Sequence, residues 1–337
     1  MIPIIRRPAR TGVRPAAFIR EFFRAFVSRA AFAFGSALAF GAALLICAAL
    51  GSCGGNSGGR AGRTVTDPMG FTVTLPPSIE RIISSAPSNT EIVVGLGMGE
   101  KLAAIDTYSP DVEGVGAAVP VIDFLYPDAE AILALKPDII IASEHNRVAG
   151  DDPFKLLKDM GIAVVYLPTS GGIEGIYRDI TFIAELLEVP ERGDGLKEAM
   201  KADIEAVAAV GRTIPKRKTV FFEISPLPHI VSFGKNTFLD EMIGIIGAEN
   251  IFADQSGWIA PGGEAVIERN PDVILTNAPG PADLAAEIMT RPGFNRIRAV
   301  ENGAVYRIDP NSSSRPAPGI VRALREMALA VYPEYYE

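Results

Sequence analysis

The stretches EAILALKPDIIIA (130–142) and EAVIERNPDVILT (264–276) align without a gap, and what they share indicates the fold. Each opens Glu-Ala, runs one to two helical turns, and breaks at Pro137-Asp138 or Pro271-Asp272. Proline disfavours helix in the residue before it, so the break is expected there. A short β-branched apolar run follows each break, the pattern of a strand buried on both faces in a parallel sheet. A looser echo joins NTEIVVGLG (89–97) to NTFLDEMIG (236–244). Two echoes in the same order in both halves predict two similar α/β lobes.

Working outward, the flanking segments agree. TVTDPMGFTVTL reads as a hairpin turning at Asp67-Pro68-Met69-Gly70, and RIISS (81–85) as a strand. Ser88-Asn89-Thr90-Glu91 has the form of a capping box opening a helix that ends at Gly97. IAVVYL (162–167) follows the helical DPFKLLKDMG as a further strand. In the second half, strands at 219–224, 272–276 and 305–308 alternate with helices near 238–246, 264–269 and 318–331. Such alternation implies α/β architecture: central parallel sheets flanked by helices. Residues 173–209 read as helix throughout, apart from Val189-Pro190, with Leu196, Met200, Ile204 and Val207 in one stripe. A hinge would be short and rich in Gly and Pro, so this connection is expected to be one long rigid strut. The expected divisions are an N-terminal lobe at 64–172, the helical connection at 173–211 and a C-terminal lobe at 212–337.

The first 52 residues differ in kind. They carry seven arginines and one acid, Glu21, and residues 30–50 carry no charge. A basic start, an apolar middle and small residues at the end form an export signal. A transmembrane anchor is the alternative, because the run approaches the ~20 residues of a spanning helix. In either case everything after Cys53 is exported. Leu50-Gly51-Ser52-Cys53 resembles the lipobox of bacterial lipoproteins, which implies cleavage before Cys53 and a diacylglycerol on its thiol. Cys47, the only other cysteine, then leaves with the signal peptide, 1–52. The glycine-rich segment from Cys53 to 63 is expected to be a flexible tether. The leader is long, and a start at Val27 through a non-ATG codon would shorten it. Loss of those seven arginines and one glutamate takes the formal charge from −8 to −14. A strongly acidic body argues against nucleic acid as a partner.

Catalytic signatures are missing. The two histidines, His145 and His229, lie in opposite halves with no motif around them. GLGMG (95–99) lacks the third glycine of a dinucleotide fingerprint, and no lysine follows the tether glycines to make a phosphate loop. The sequence therefore predicts no enzyme, no resident cofactor and no metal site.

RIISSAPSNTEIVVGLG (81–97), DAEAILALKPDIIIAS (128–143), FLDEMIGIIGAENIFAD (238–254), EAVIERNPDVILT and GAVYRIDP (303–310) together resemble landmarks of one family. That family is the cluster of periplasmic binding proteins serving ABC importers of cobalamin, iron–siderophore and haem. The resemblance covers nearly everything after the tether. It implies a protein lipid-anchored to the bacterial cell envelope, on the periplasmic or extracellular face. Its ligand would sit between lobes that move little, and would pass to a permease dimer with its ATPase.

In folds of this type, loops at the C-terminal ends of strands face the ligand. Those loops offer Ser85, Pro87, Tyr108, Phe124, Tyr126 and His145 in the first half, and Phe233, Trp258 and Arg315 in the second. Tyr108, Phe124 and Trp258 match positions where cobalamin binders of the family place aromatic rings, and Arg315 falls near a cleft-facing arginine. Core packing is the competing explanation for Phe124 and Tyr126. The resemblance also implies that Glu130 and Glu264, one per repeat, dock on arginines of the permease. Helix-dipole stabilisation, roughly 0.3–1 kcal/mol, would account for either glutamate alone.

Charge orders the ligands. Catecholate siderophores would call for several arginines, and bare Zn or Mn for three or four His and carboxylates. A large, nearly neutral ligand held by rings and backbone hydrogen bonds fits better. Cobalamin comes first, a neutral or hydroxamate siderophore second, and haem third, with Tyr108 or His145 as axial ligand. A non-transport surface lipoprotein, an adhesin or sensor on the same fold, is the reading from a different class.

Overall fold

The computed structural model describes residues 62–147, 152–280 and 283–336. The expected signal peptide, the suggested start at Val27, Cys53 and nearly all of the expected tether lie outside these residues.

The chain enters through the expected hairpin, β1 (Thr64–Thr66) antiparallel to β2 (Thr72–Thr74). Asp67 holds the turn, accepting the Met69 N–H at 3.0 Å and the Phe71 N–H at 2.8 Å on one oxygen. Its other oxygen accepts the Tyr166 N–H at 2.8 Å, which fastens the hairpin to the sheet. That sheet is parallel and built from β3 (Ile82–Ser84), β4 (Leu102–Asp106), β5 (Val121–Ile122), β6 (Ile139–Ser143) and β7 (Ala163–Leu167). Their spatial order is β5-β4-β3-β6-β7. Helices α1 (Pro87–Gly95), α2 (Ala129–Ala134) and α3 (Lys155–Asp159) connect them.

Two helices follow, α4 (Ile173–Leu186) and α5 (Pro190–Gly211), broken at Val189-Pro190 as the sequence predicts. They lie so close that a Cβ on Gly193 would come within 2.5 Å of the Ala184 methyl. Ile176, Ile180 and Ile183 of α4 and Met200 and Val207 of α5 share one apolar core with Ile92 of the first half and Met242 and Leu324 of the second. Close packing on both sides makes the connection stiff.

The second half repeats the plan with β8 (Thr219–Glu223), β10 (Glu249–Asn250), β12 (Val273–Thr276) and β13 (Val305–Arg307), parallel in the order β10-β8-β12-β13. A separate pair, β9 (Ser232–Phe233) and β11 (Trp258–Ile259), runs antiparallel. The helices are α6 (Phe238–Ile245), α7 (Gly263–Arg269), α8 (Leu284–Met289), α9 (Arg298–Glu301), α10 (Pro310–Ser314) and α11 (Ile320–Val331).

The first repeat is the same device twice. Lys136 and Asn270, the residues before the prolines, both leave the helix in the left-handed region, at φ 49° and 47°. The right-handed region is disfavoured before proline, and a positive φ turns the chain sharply into the strand. Asp138 then accepts N–H bonds from Glu80 and Arg81, each at 2.8 Å, and Asp272 accepts the Thr219 N–H at 2.8 Å. Each Pro-Asp thus ties its own strand, β6 or β12, to the neighbouring strand, β3 or β8.

The looser echo corresponds less well. Thr237 is the N-cap of α6, accepting the Asp240 N–H, whereas Thr90 sits inside α1. The capping box expected at 88–91 is also absent: α1 begins at Pro87, with Ala86 as an N-cap that makes no side-chain bond. Proline's fixed φ suits the first helical position, and the Thr90 hydroxyl turns inward to Ser84 Oγ at 2.8 Å.

Candidate ligand cleft

Each sheet has a switch point where successive connections leave in opposite directions, between β3 and β6 and between β8 and β12. Crevices form at the C-terminal strand ends of such points. Ser85, Ser143, Ile224 and Asn277 follow or end those four strands, and all line one cleft of about 430 Å³. Ser85 stiffens the first wall, its hydroxyl donating to Asn146 Oδ1 at 2.6 Å and accepting the Ser143 N–H at 3.2 Å.

Of the residues predicted from the sequence, Ser85, Pro87, Tyr108, Phe124, His145, Trp258 and Arg315 line the cleft. Tyr126 and Phe233 do not. The Tyr126 side chain is 85% exposed to solvent, next in sequence to Leu125, which does line the cleft. Phe233 is 1% exposed, packed 5.6 Å from Phe222 and 6.2 Å edge-on to Trp258. It is the cross-strand partner of Trp258 in the β9–β11 pair, so it forms the floor beneath the tryptophan. Phe124 is intermediate: it reaches the cleft but is 5% exposed, tilted against Phe154 at 5.9 Å. Trp258 is also edge-on to Phe238 at 6.4 Å, which fixes the indole in place.

His145 is exposed, with its Nε2 2.5 Å from the Thr169 hydroxyl. Arg315 is 8% exposed and bound to protein: Nη2 donates to the Tyr108 carbonyl at 2.8 Å and to Asp111 at 2.9 Å, and Nη1 to Glu91 at 3.3 Å. Burial pushes the Glu91 carboxyl above its ordinary range even with this arginine beside it.

Sequence reasoning missed two carboxylates in the walls. Asp106, at the end of β4, is pushed up to about 6 by burial, opposed by bonds from the Ser109 hydroxyl and the Tyr108 N–H. The strand-end rule that found Tyr108 would have found it. Asp179 also rises to about 6 through burial, with the Ser170 hydroxyl donating to it at 2.6 Å. It sits on α4, read as pure strut, so no local signal pointed to it. Among the described residues, they and Asp123 put three aspartates on walls where Arg315 is the one lysine or arginine. No group of three or more His, Cys, Asp or Glu among the described residues could hold a metal ion.

The periplasmic binding protein family matches residues 82–312, well over half of the chain. The chain belongs to that family. This periplasmic binding protein is 33% identical over 279 residues to an ABC transporter substrate-binding lipoprotein of Bacillus subtilis, covering 81% of this chain and 87% of the relative. It is 29% identical over 250 residues to a vitamin B12-binding protein of Vibrio parahaemolyticus, covering 74% and 88%. Among solved structures it is similar to a possible iron-binding periplasmic solute-binding protein of Staphylococcus epidermidis, with TM-score 0.69 at 31% identity, covering 76% and 99%. A periplasmic haem-binding protein of Roseiflexus matches with TM-score 0.67 at 25% identity, covering 76% and 99%. The ABC transporter substrate-binding class expected from the sequence is the class that the Bacillus subtilis relative carries in its name. The family is one of solute binding rather than catalysis.

Proposed function

We propose that this periplasmic binding protein captures a corrinoid, cobalamin or a close relative, between its two halves and delivers it to an ABC permease. One observation carries the choice of ligand: the cleft's arginine is held by Glu91 and Asp111, while three aspartates stand on the walls. Such walls disfavour strongly anionic siderophores and suit a large ligand of little net charge, held by Tyr108, Trp258 and backbone groups. Relatives named as vitamin B12-binding support the same choice. An iron–siderophore or haem is the second reading, favoured by Tyr108 and His145 both reaching the cleft as candidate axial ligands.

Delivery rests on the two repeat glutamates. Glu130 and Glu264 are each the second residue of a helix, α2 and α7, and both are exposed. Matched carboxylates on the two halves suit a transporter with two equivalent subunits, and opposite charge there would steer the encounter. The anchor is the lipid on Cys53, which places the protein outside the cytoplasmic membrane.

Cyanocobalamin, ferric hydroxamates and haemin, each titrated while following Trp258 emission and thermal unfolding, test the ligand. Stabilisation of about 2.7 kcal/mol is expected from cyanocobalamin at a hundredfold excess over Kd. Absence of any effect from corrinoids, with binding of haemin, would transfer the function to the second reading. Glu130→Ala and Glu264→Ala should keep ligand affinity and lower uptake, the double variant more than either. Normal uptake by the double variant would reduce both to helix-end charges.

A further inference from the structure

The two halves are joined beside the cleft by a second tie, separate from the α4–α5 strut. Arg315 follows α10 in the second half, and three of its partners, the Tyr108 carbonyl, Asp111 and Glu91, belong to the first. Two further bonds run the same way. The Gly319 N–H donates to Glu91 at 3.2 Å, and the Asn311 amide donates to Asp111. The guanidinium also touches Asn311 at 3.2 Å, which holds it over Asp111. The Arg315 and Glu91 side chains are only 9% and 15% exposed, so salt screens this pair little. Neither Glu91 nor Asp111 lines the cleft, so a ligand there does not compete for them.

We propose that Arg315 is a positioning residue: it latches the two walls of the cleft together, and bound ligand leaves only when the Arg315–Glu91–Asp111 cluster opens. It acts through the loop that carries Tyr108 rather than as an ion-pair partner of the ligand. Separation of the halves breaks the whole cluster at once, and the cluster is already closed without ligand, so its energy falls on the barrier to ligand passage, inward and outward alike. A permease that spreads the halves has to break the same cluster. The kinetic part of this inference rests on the corrinoid reading above, and the exchange measurement below does not.

The test compares Arg315→Gln with Glu91→Gln and Asp111→Asn in the full chain. Asp111 is 47% exposed, so its variant keeps the fold even if loss of the buried partners does not. Amide hydrogen exchange without ligand should rise in 107–112 and 311–319 in all three. Stopped-flow with cyanocobalamin should show dissociation and association both about tenfold faster or more, the equivalent of one lost charged hydrogen bond, with Kd within about threefold of wild type. Unchanged exchange in both loops of Asp111→Asn and Glu91→Gln overturns the latch. So does loss of ligand binding in Arg315→Gln alone, which would make Arg315 a direct ligand contact. If cyanocobalamin does not bind wild type, the corrinoid reading fails, and exchange decides the latch by itself.

Discussion

Asp179→Asn should stabilise the unliganded protein at neutral pH and do nothing at acid pH. The carboxylate is 7% exposed and accepts a hydrogen bond from the Ser170 hydroxyl, which an asparagine oxygen can equally accept. The change therefore removes a desolvated charge while keeping the bond. Displacement from 3.8 to about 6 corresponds to about 3 kcal/mol at about 1.36 kcal/mol per pH unit. Between those two values the folded chain keeps a proton that the unfolded chain has lost. The stability associated with this carboxyl is thus fully present below pH 3.8 and lost as pH rises through about 6. Urea unfolding of both proteins at pH 4, 5, 6 and 7.5 should show a gain that grows across the series to about 3 kcal/mol. An equal gain at pH 4 and 7.5 would assign the effect to packing, and no gain at pH 7.5 would refute the buried charge. Affinity for a neutral corrinoid should change by less than about threefold, since burial, and not ligand charge, sets this carboxyl.

Phe233→Ala should cost about 3–5 kcal/mol of stability and shift Trp258 emission, because the ring is core beneath the indole; an intact unliganded fold with lost affinity would return Phe233 to the ligand. Arg291→Met should cost about 3–5 kcal/mol, since Arg291 and Glu223 pair with side chains 2% and 0% exposed and the stranded carboxylate has no water to turn to. Adding Glu223→Gln to it should recover most of that loss in urea unfolding, and no recovery would show that packing alone was lost. Cys53→Ala should accumulate uncut precursor that takes up no lipid label, and normal processing would reject the lipobox.

The sequence determined the architecture because the signals for it are local. Helix period, the proline break and a β-branched run each act within a few residues, so the 130–142 and 264–276 repeat already specified helix, turn and buried strand in both halves. The strut was legible for the same reason, in one apolar stripe and one proline at position 190. The cleft was legible in part, since strand ends are local features and most residues placed there by that rule do line it. Tertiary structure decided which way each side chain serves. Phe233 and Tyr126 are both aromatic residues in loops or short strands, yet one is 1% exposed and the other 85%, a difference set by what packs across from them. Asp138 and Asp272 gained a role only when the neighbouring strands β3 and β8 arrived beside them. Arg315 reads as a ligand arginine in the sequence; its partners Glu91 and Asp111 lie 224 and 204 residues away, and only folding brings those charges within hydrogen-bond reach.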